Sequence, residues 1–184
     1  CRSPLHDALG EGFVLQFLVH GLSYKTAPVA VREACAVPRD AVSGVLQELT
    51  TSSAIDEALI LSTCNRVEVY VVHSGTVEAA VEAINSVLFV GRGLEAQTVE
   101  QHGYTVSGRD AVHHLLRVAT SLDSMVVGEP QILGQVKEAA ALAREAGVVG
   151  PLLGRVLERT FGAAKAVRTD TGISRDVVSI GSVA

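Results

Sequence analysis

The chain has 184 residues, of which 48% are apolar and 19% charged, with a formal net charge of −5. That is enough for one domain and part of another, too apolar for a disordered chain, and too acidic for a protein whose task is to coat nucleic acid. Cys1, Cys35 and Cys64 are too few and too scattered for a disulfide framework or a zinc site, so no metal is expected. With neither an apolar run of spanning length nor a signal pattern, the expected location is the cytoplasm, away from any membrane.

Residues 1–13 show no periodicity and read as a disordered extension or a remnant outside the fold. Val14–Val19 is an apolar run that fits a buried strand. Pro28 opens a short helix running to Cys35, and after Pro38 the helical spacing of Val42, Val45/Leu46 and Leu49 predicts a second helix to about Thr50. Ala58–Leu61 is a continuous apolar run. Val67, Val69 and Val71 alternate with Glu68 and Tyr70 at the period of a pleated strand, with a tight hairpin over 62–66 between the two. Val77, Val81, Ile84 and Leu88 mark a helix, and 99–104 is a candidate fourth strand. This order predicts an α+β fold, the ferredoxin-like split βαβ arrangement: an antiparallel sheet with helices on one face.

From about Ser107 the pattern is helical only. One helix starts at Ser107 or Asp110. A second starts near Glu129–Pro130 and closes at Gly147. A third runs from Pro151 to about Arg168 before Gly172, and another begins near Val177. Residues 1–150 carry 10 basic and 17 acidic groups, whereas 151–184 carry five and three, so a mild basic excess lies on the terminal helices. It is either ordinary solvated surface or a face that meets phosphate.

Gly91-Arg92-Gly93-Leu94-Glu95-Ala96 fits the loose G-x-G-x-x-G/A pattern of dinucleotide sites. The pattern needs a strand before it and a helix after it. Here a helix precedes, and 95–103 reads as too short and polar to follow as a helix, so a helix end and a turn are expected instead.

Ser62-Thr63-Cys64-Asn65-Arg66 is the densest polar cluster of the sheet region. A cysteine on a tight turn is either an exposed nucleophile, activated as thiolate by a nearby cation such as Arg66, or a small buried hydrophobe at a strand end. A second cluster runs from His113 and His114 through Ser121, Asp123, Ser124, Glu129, Gln131 and Gln135. If the helix through His114 faces the sheet, His114 approaches Cys64 as acid or base. Otherwise both histidines are surface and half-core residues.

Three segments carry a resemblance. Gly21-Leu-Ser-Tyr-Lys-Thr-Ala-Pro28 with Val31-Arg-Glu33, Leu61-Ser-Thr-Cys-Asn-Arg-Val-Glu68, and Leu122 through Lys137 resemble the glutamyl-tRNA reductase family, and 161–184 continues the likeness. The resemblance implies reduction of the glutamyl ester on tRNA to glutamate-1-semialdehyde with NADPH, at the entry to tetrapyrrole synthesis. It also implies a catalytic domain over 14–160 and the start of a connecting helix over 161–184. The NADPH and dimerisation domains would lie outside this chain, and an aminomutase would take the product. It makes Cys64 the nucleophile that forms a thioester, and His114 the residue that orients the ester or assists proton transfer. Thr63, Asn65, Arg66, Ser124, Glu129, Pro130, Gln131 and Gln135 become substrate-binding residues, with Arg66 paired to the glutamate carboxylate. His113 falls outside the pattern and is expected on the surface. Ser121 stands where the family commonly has glycine. The alternative is a non-catalytic RNA-binding or regulatory module, for which the sheet offers few aromatics: Tyr70 is the only one in the two central strands.

Overall fold

The structure is a computed structural model and describes residues 16–125 and 131–170. Its centre is a four-stranded antiparallel sheet in the order β2-β3-β1-β4, made of β1 (Phe17–Ser23), β2 (Ile55–Ser62), β3 (Arg66–His73) and β4 (Tyr104–Ser107). Around it lie α1 (Val29–Cys35), α2 (Val42–Leu49), α3 (Val77–Ile84), α4 (Ala96–His102), α5 (Gly108–Ala119), α6 (Gln131–Glu145) and α7 (Pro151–Asp170). The split βαβ order expected from the sequence is therefore present, with the helical segment after it.

The sheet is not open on one side. Every residue of β1 and β3 is buried, so helices cover both faces. Alternation along the strands sorts the side chains. Leu18, His20 and Leu22 share one face with Val67, Val69 and Val71, as the pairs Leu18↔Val71, His20↔Val69 and Leu22↔Val67 show. This face packs under α3 and the π-helical segment Asn85–Phe89 that continues it: His20 Nε2 lies 2.8 Å from Asn85 Oδ1, and its ring meets Phe89 edge-on. Ser23, Gly21, Val19 and Phe17 share the other face with Arg66, Glu68, Tyr70 and Val72. That face lies under α5 and α7. Among the described residues, the sheet aromatics Phe17 and Tyr70 are fully buried and offer bases no stacking surface.

Two elements differ from expectation. The candidate strand over 99–104 is instead α4 followed by β4, because Val99 is the single buried residue of a helical turn and the strand begins only after Gly103. The polar stretch after Gly93 is thus helical after all, but the glycine pair still closes a helix. Gly93 has φ 95° and caps a 3-10 turn over Val90–Arg92, with no strand before it. The first strand starts at Phe17 rather than Val14, and residues before 16 lie outside the described ones, as do Gly172 and the expected helix from Val177. No helix among the described residues is long and apolar enough to cross a membrane.

The start of β2 and the start of α7 are joined by one side chain. Glu57 is buried and accepts hydrogen bonds from the main-chain N–H groups of Gly150, Leu152 and Leu153, at 2.9, 3.1 and 2.7 Å. These are orphan donors of a helix N-terminus, where a carboxylate is also favoured by the helix dipole. α6 runs beside β2 and touches both α2 and α5.

Candidate active site

The hairpin between β2 and β3 is held from three directions. Thr63 N–H donates to Arg66 O at 2.8 Å and closes the turn, and the Thr63 hydroxyl accepts from the N–H groups of Asn65 and Arg66, each at 3.2 Å. Tyr24 N–H donates to Asn65 O at 2.8 Å. Arg32, a buried residue of α1, donates through Nε to Cys64 O at 3.1 Å and through Nη1 to Ala27 O at 2.6 Å. The backbone of Cys64 is thus fixed while its side chain is exposed. Fixed backbone with an accessible sulfur is what a nucleophile needs. Cys35 is the opposite case: it is fully buried in α1, and burial pushes its thiol up to about 11.

Cys64 lines a small cleft of about 30 Å³ with Thr63, Asn65, Arg66, Ser124, Gln131 and Gln135, besides Ile132. Hairpin, α5–α6 junction and first turns of α6 therefore meet here, and every substrate-binding residue expected from the sequence and described in the structure is in the cleft wall. Glu129 and Pro130 lie outside the described residues. His113 is exposed on α5, as expected.

His114 is elsewhere. Its Nε2 donates to Glu68 Oε1 at 2.9 Å, and it is not part of the cleft wall. Glu68 has no exposed surface and gathers four donors: His114, Arg66 Nη1 at 2.6 Å, and the hydroxyls of Tyr70 and Tyr104. Burial alone raises a carboxyl group. The hydrogen bond from His114, the Arg66 charge and the Tyr104 hydroxyl outweigh it and hold Glu68 at about 2, so it is anionic at neutral pH. An anionic acceptor at Nε2 keeps a proton on that nitrogen. The same carboxylate, with burial as the larger cause, raises Tyr70 and Tyr104, which stay protonated donors.

Arg66 joins this network to the cleft. It is 1% exposed, and its second nitrogen, Nη2, donates to the main-chain O of Asp123 and lies 3.2 Å from Asp123 Oδ2. Lys25 Nζ pairs with the other oxygen of Asp123. At its inward position on β3 the guanidinium fork is filled by Glu68 and Asp123. The cluster of Arg66, Lys25, Glu68 and Asp123 is charge-balanced as it stands.

Asp123 reaches Arg66 because of how α5 ends. Ser121 N–H donates to Val118 O at 3.0 Å and Leu122 N–H to Arg117 O at 2.9 Å, the paired bonds of a Schellman motif, with Ser121 at φ 64°. That left-handed residue is the position where the resemblance expects glycine. The reversal it makes turns the chain back, so that Asp123 points at the sheet. Gly21 matters for a different reason: it pairs with Glu68 across the sheet, and a Cβ there would overlap the Val67 carbonyl oxygen.

Glu68, Tyr70, Tyr104, Lys25 and Arg32 were not among the candidates from sequence, and Asp123 stood in the second polar cluster without a role. Glu68 carried a signal, since a carboxylate in an otherwise apolar strand needs a buried partner or open solvent. Its pairing with Tyr104 and His114, 36 and 46 residues away, had none.

Residues 20–171 match the family described as glutamyl-tRNAGlu reductase, N-terminal domain. The chain belongs to that family. It is 49% identical over 166 residues to a glutamyl-tRNA reductase of Syntrophotalea carbinolica, covering 90% of this chain and 37% of that relative. It is 47% identical to one of Pseudomonas putida, covering 90% and 38%. Among solved structures it is similar to the glutamyl-tRNA reductase of Methanopyrus kandleri, with a TM-score of 0.74, 31% identity, and coverage of 91% of this chain and 38% of that one. The chain therefore spans about two fifths of the length of the reductases it matches. Reductases of this family are generally NADPH-dependent; in this chain Gly93 of the Gly91–Ala96 pattern caps a 3-10 turn.

Proposed function

We propose that this chain is the part of a glutamyl-tRNA reductase that takes the glutamyl group from tRNA onto Cys64. The observation that carries the reading is the exposed thiol on a clamped hairpin, in a cleft walled by Thr63, Asn65, Ser124, Gln131 and Gln135. Sulfur attacks the ester carbonyl carbon, a C–S bond forms, and the C–O bond to the ribose breaks. The ribose oxygen leaves with the electron pair and gains the proton that the thiol gave up. A thioester is the better hydride acceptor, so the transfer prepares the acyl group for the reduction that NADPH supplies in the whole reductase.

The other residues hold and select. Hydroxyl and amide groups of Ser124, Gln131 and Gln135 offer donors to the carbonyl oxygen as charge develops on it. Arg66 and Lys25 offer the cations that a glutamate carboxylate needs, with Asp123 giving way. A glutamine side chain leaves that pair without a counter-charge, which is the asymmetry a selective site exploits. His114, its tautomer set by Glu68, is the proton carrier closest in chemistry to the task. Incubation of the chain with radiolabelled glutamyl-tRNA tests the reading. A base-labile label on Cys64, absent in Cys64→Ser, is expected; equal labelling of the two proteins overturns it.

A further inference from the structure

A second concavity of about 160 Å³ adjoins the Cys64 cleft. It runs along the edge strand β2, between α6 and the 3-10 turn Arg39–Ala41 that leads into α2. Val42, Ile60 and Leu142 make its apolar floor, and Arg39 and Glu138, 2.6 Å apart, form its rim. Gln135 lines both concavities, and β2 leads directly from Ile60 into the Cys64 hairpin.

We propose that this groove seats the terminal adenosine of the acylated tRNA, the leaving group of the transfer to Cys64. The inference rests on the function proposed above and assigns a place to the half of the substrate that the Cys64 cleft cannot hold. The nucleoside is covalently tied to the carbonyl under attack, so it must lie against the cleft, and this groove shares a wall with it. Its volume is well below the roughly 300–1,000 Å³ of a site that encloses a whole small ligand, and suits one ring system.

The chemistry of the walls suits a base and a phosphate. Ala58 N–H points out of the sheet and donates to Val148 O at 3.1 Å. By the two-residue period of a strand, Ile60 presents its main-chain N–H and C=O in the same outward sense, a donor and acceptor side by side for an adenine edge. The apolar floor takes the face of the ring. Arg39 is 75% exposed and Glu138 47%, so their ion pair is a surface one, worth little and readily exchanged for a phosphate on Arg39. The acyl transfer itself needs no further reactant: thiol and ester become thioester and free ribose hydroxyl.

Two measurements test this. First, methyl resonances of Val42, Ile60 and Leu142 are followed while adenosine 5′-monophosphate is added to the full chain. Those methyls are expected to shift, and Ala139→Phe, which fills the groove from α6, is expected to abolish the response. Arg39→Ala, on an exposed side chain that no packing depends on, is expected to weaken the monophosphate several-fold and leave adenosine itself unchanged. No shift, or shifts confined to other methyls, overturns the proposal. Second, acylation of Cys64 by 3′-O-glutamyl-adenosine is compared with acylation by glutamyl ethyl ester. Ala139→Phe is expected to slow the first by about tenfold and to leave the second unchanged. Equal rates in parent and variant with both esters overturn the groove while the proposed function stands. Methyl shifts without acylation of the parent overturn the function while the groove stands.

Discussion

The two faces of β3 are equally buried and differ in everything else. Val67, Val69 and Val71 face mainly apolar neighbours, with the buried histidines His20 and His73 on the same side, and burial lowers the pKa of His20. Arg66, Glu68 and Tyr70, on the alternate positions, sit in a network of two cations, two carboxylates, two phenols and an imidazole. A buried ion pair gains little over apolar packing of the same shape, yet losing one partner is expensive. The polar face is therefore a poor device for stability and a good one for holding a few atoms in place. It lies directly behind the hairpin that carries Cys64.

Removing one member of the network should show the contrast at its largest. Arg66→Ala leaves Glu68 and Asp123 without their cation, and should cost about 3–5 kcal/mol in urea unfolding at pH 7. The deficit should shrink as pH falls, because an unpaired Glu68 can take up a proton. A loss below about 1 kcal/mol, or one independent of pH, would mean the network does not govern this face. On the opposite face, Leu22→Ala removes buried methyl groups only, and should cost about 2–4 kcal/mol by the same measurement. That loss should be constant between pH 4 and 8. If it varied with pH as the Arg66 loss does, the two faces would not be separable.

Tyr104→Phe is the finer version of the first experiment. It deletes one donor to Glu68, keeps the ring, and should cost about 1.5–3 kcal/mol as a hydrogen bond to a charged group. Glu68 is held at about 2, below its ordinary 4.5. A depressed carboxylate contributes stability that is complete above the ordinary value and is lost as pH falls towards the depressed one. The parent should thus lose stability between about pH 4.5 and 2, and the variant, with one donor fewer, should start from the same ordinary value and complete the loss at a higher pH. Coincident acid limbs for parent and variant would remove Tyr104 from the network.

How much of this was legible in the sequence follows the same division. The Val67, Val69, Val71 pattern, the apolar run of β2 and the helical spacing of α2, α5 and α7 are local signals, and they placed the sheet and most helices. Thr63, Cys64, Asn65 and Arg66 stood out because four polar residues between two apolar strands have to make a turn. Glu68 and Tyr70 were misleading, since alternation reads the same whether the polar set faces water or a buried network. Which it is depends on α5 crossing behind the sheet, and that is a tertiary fact. α4 was missed because a short polar helix with one buried residue has almost no periodicity to detect. The two-sided covering of the sheet was missed for a related reason: helices α5–α7 were legible, but nothing local says which surface they return to.

The smallest expected effect concerns the turn that brings Asp123 to Arg66. Ser121 occupies a left-handed conformation, φ 64°, that costs an ordinary residue roughly 1–2 kcal/mol, whereas glycine adopts it freely. Glycine also gives up more backbone freedom on folding, at roughly 0.5–1 kcal/mol, so the two contributions nearly cancel. Ser121→Gly should therefore stabilise the chain by no more than about 1 kcal/mol, read as a small rise in the urea midpoint with unchanged slope. The serine hydroxyl sits 3.5 Å from that of Ser124, at the outer limit of a hydrogen bond. The Schellman bonds to Arg117 and Val118 are made by the backbone and persist, so Asp123 stays in register with Arg66 and the pH dependence of stability should not change. A destabilisation of more than about 1 kcal/mol would mean that the Ser121 side chain, and not the backbone reversal, holds the Asp123 loop against the sheet.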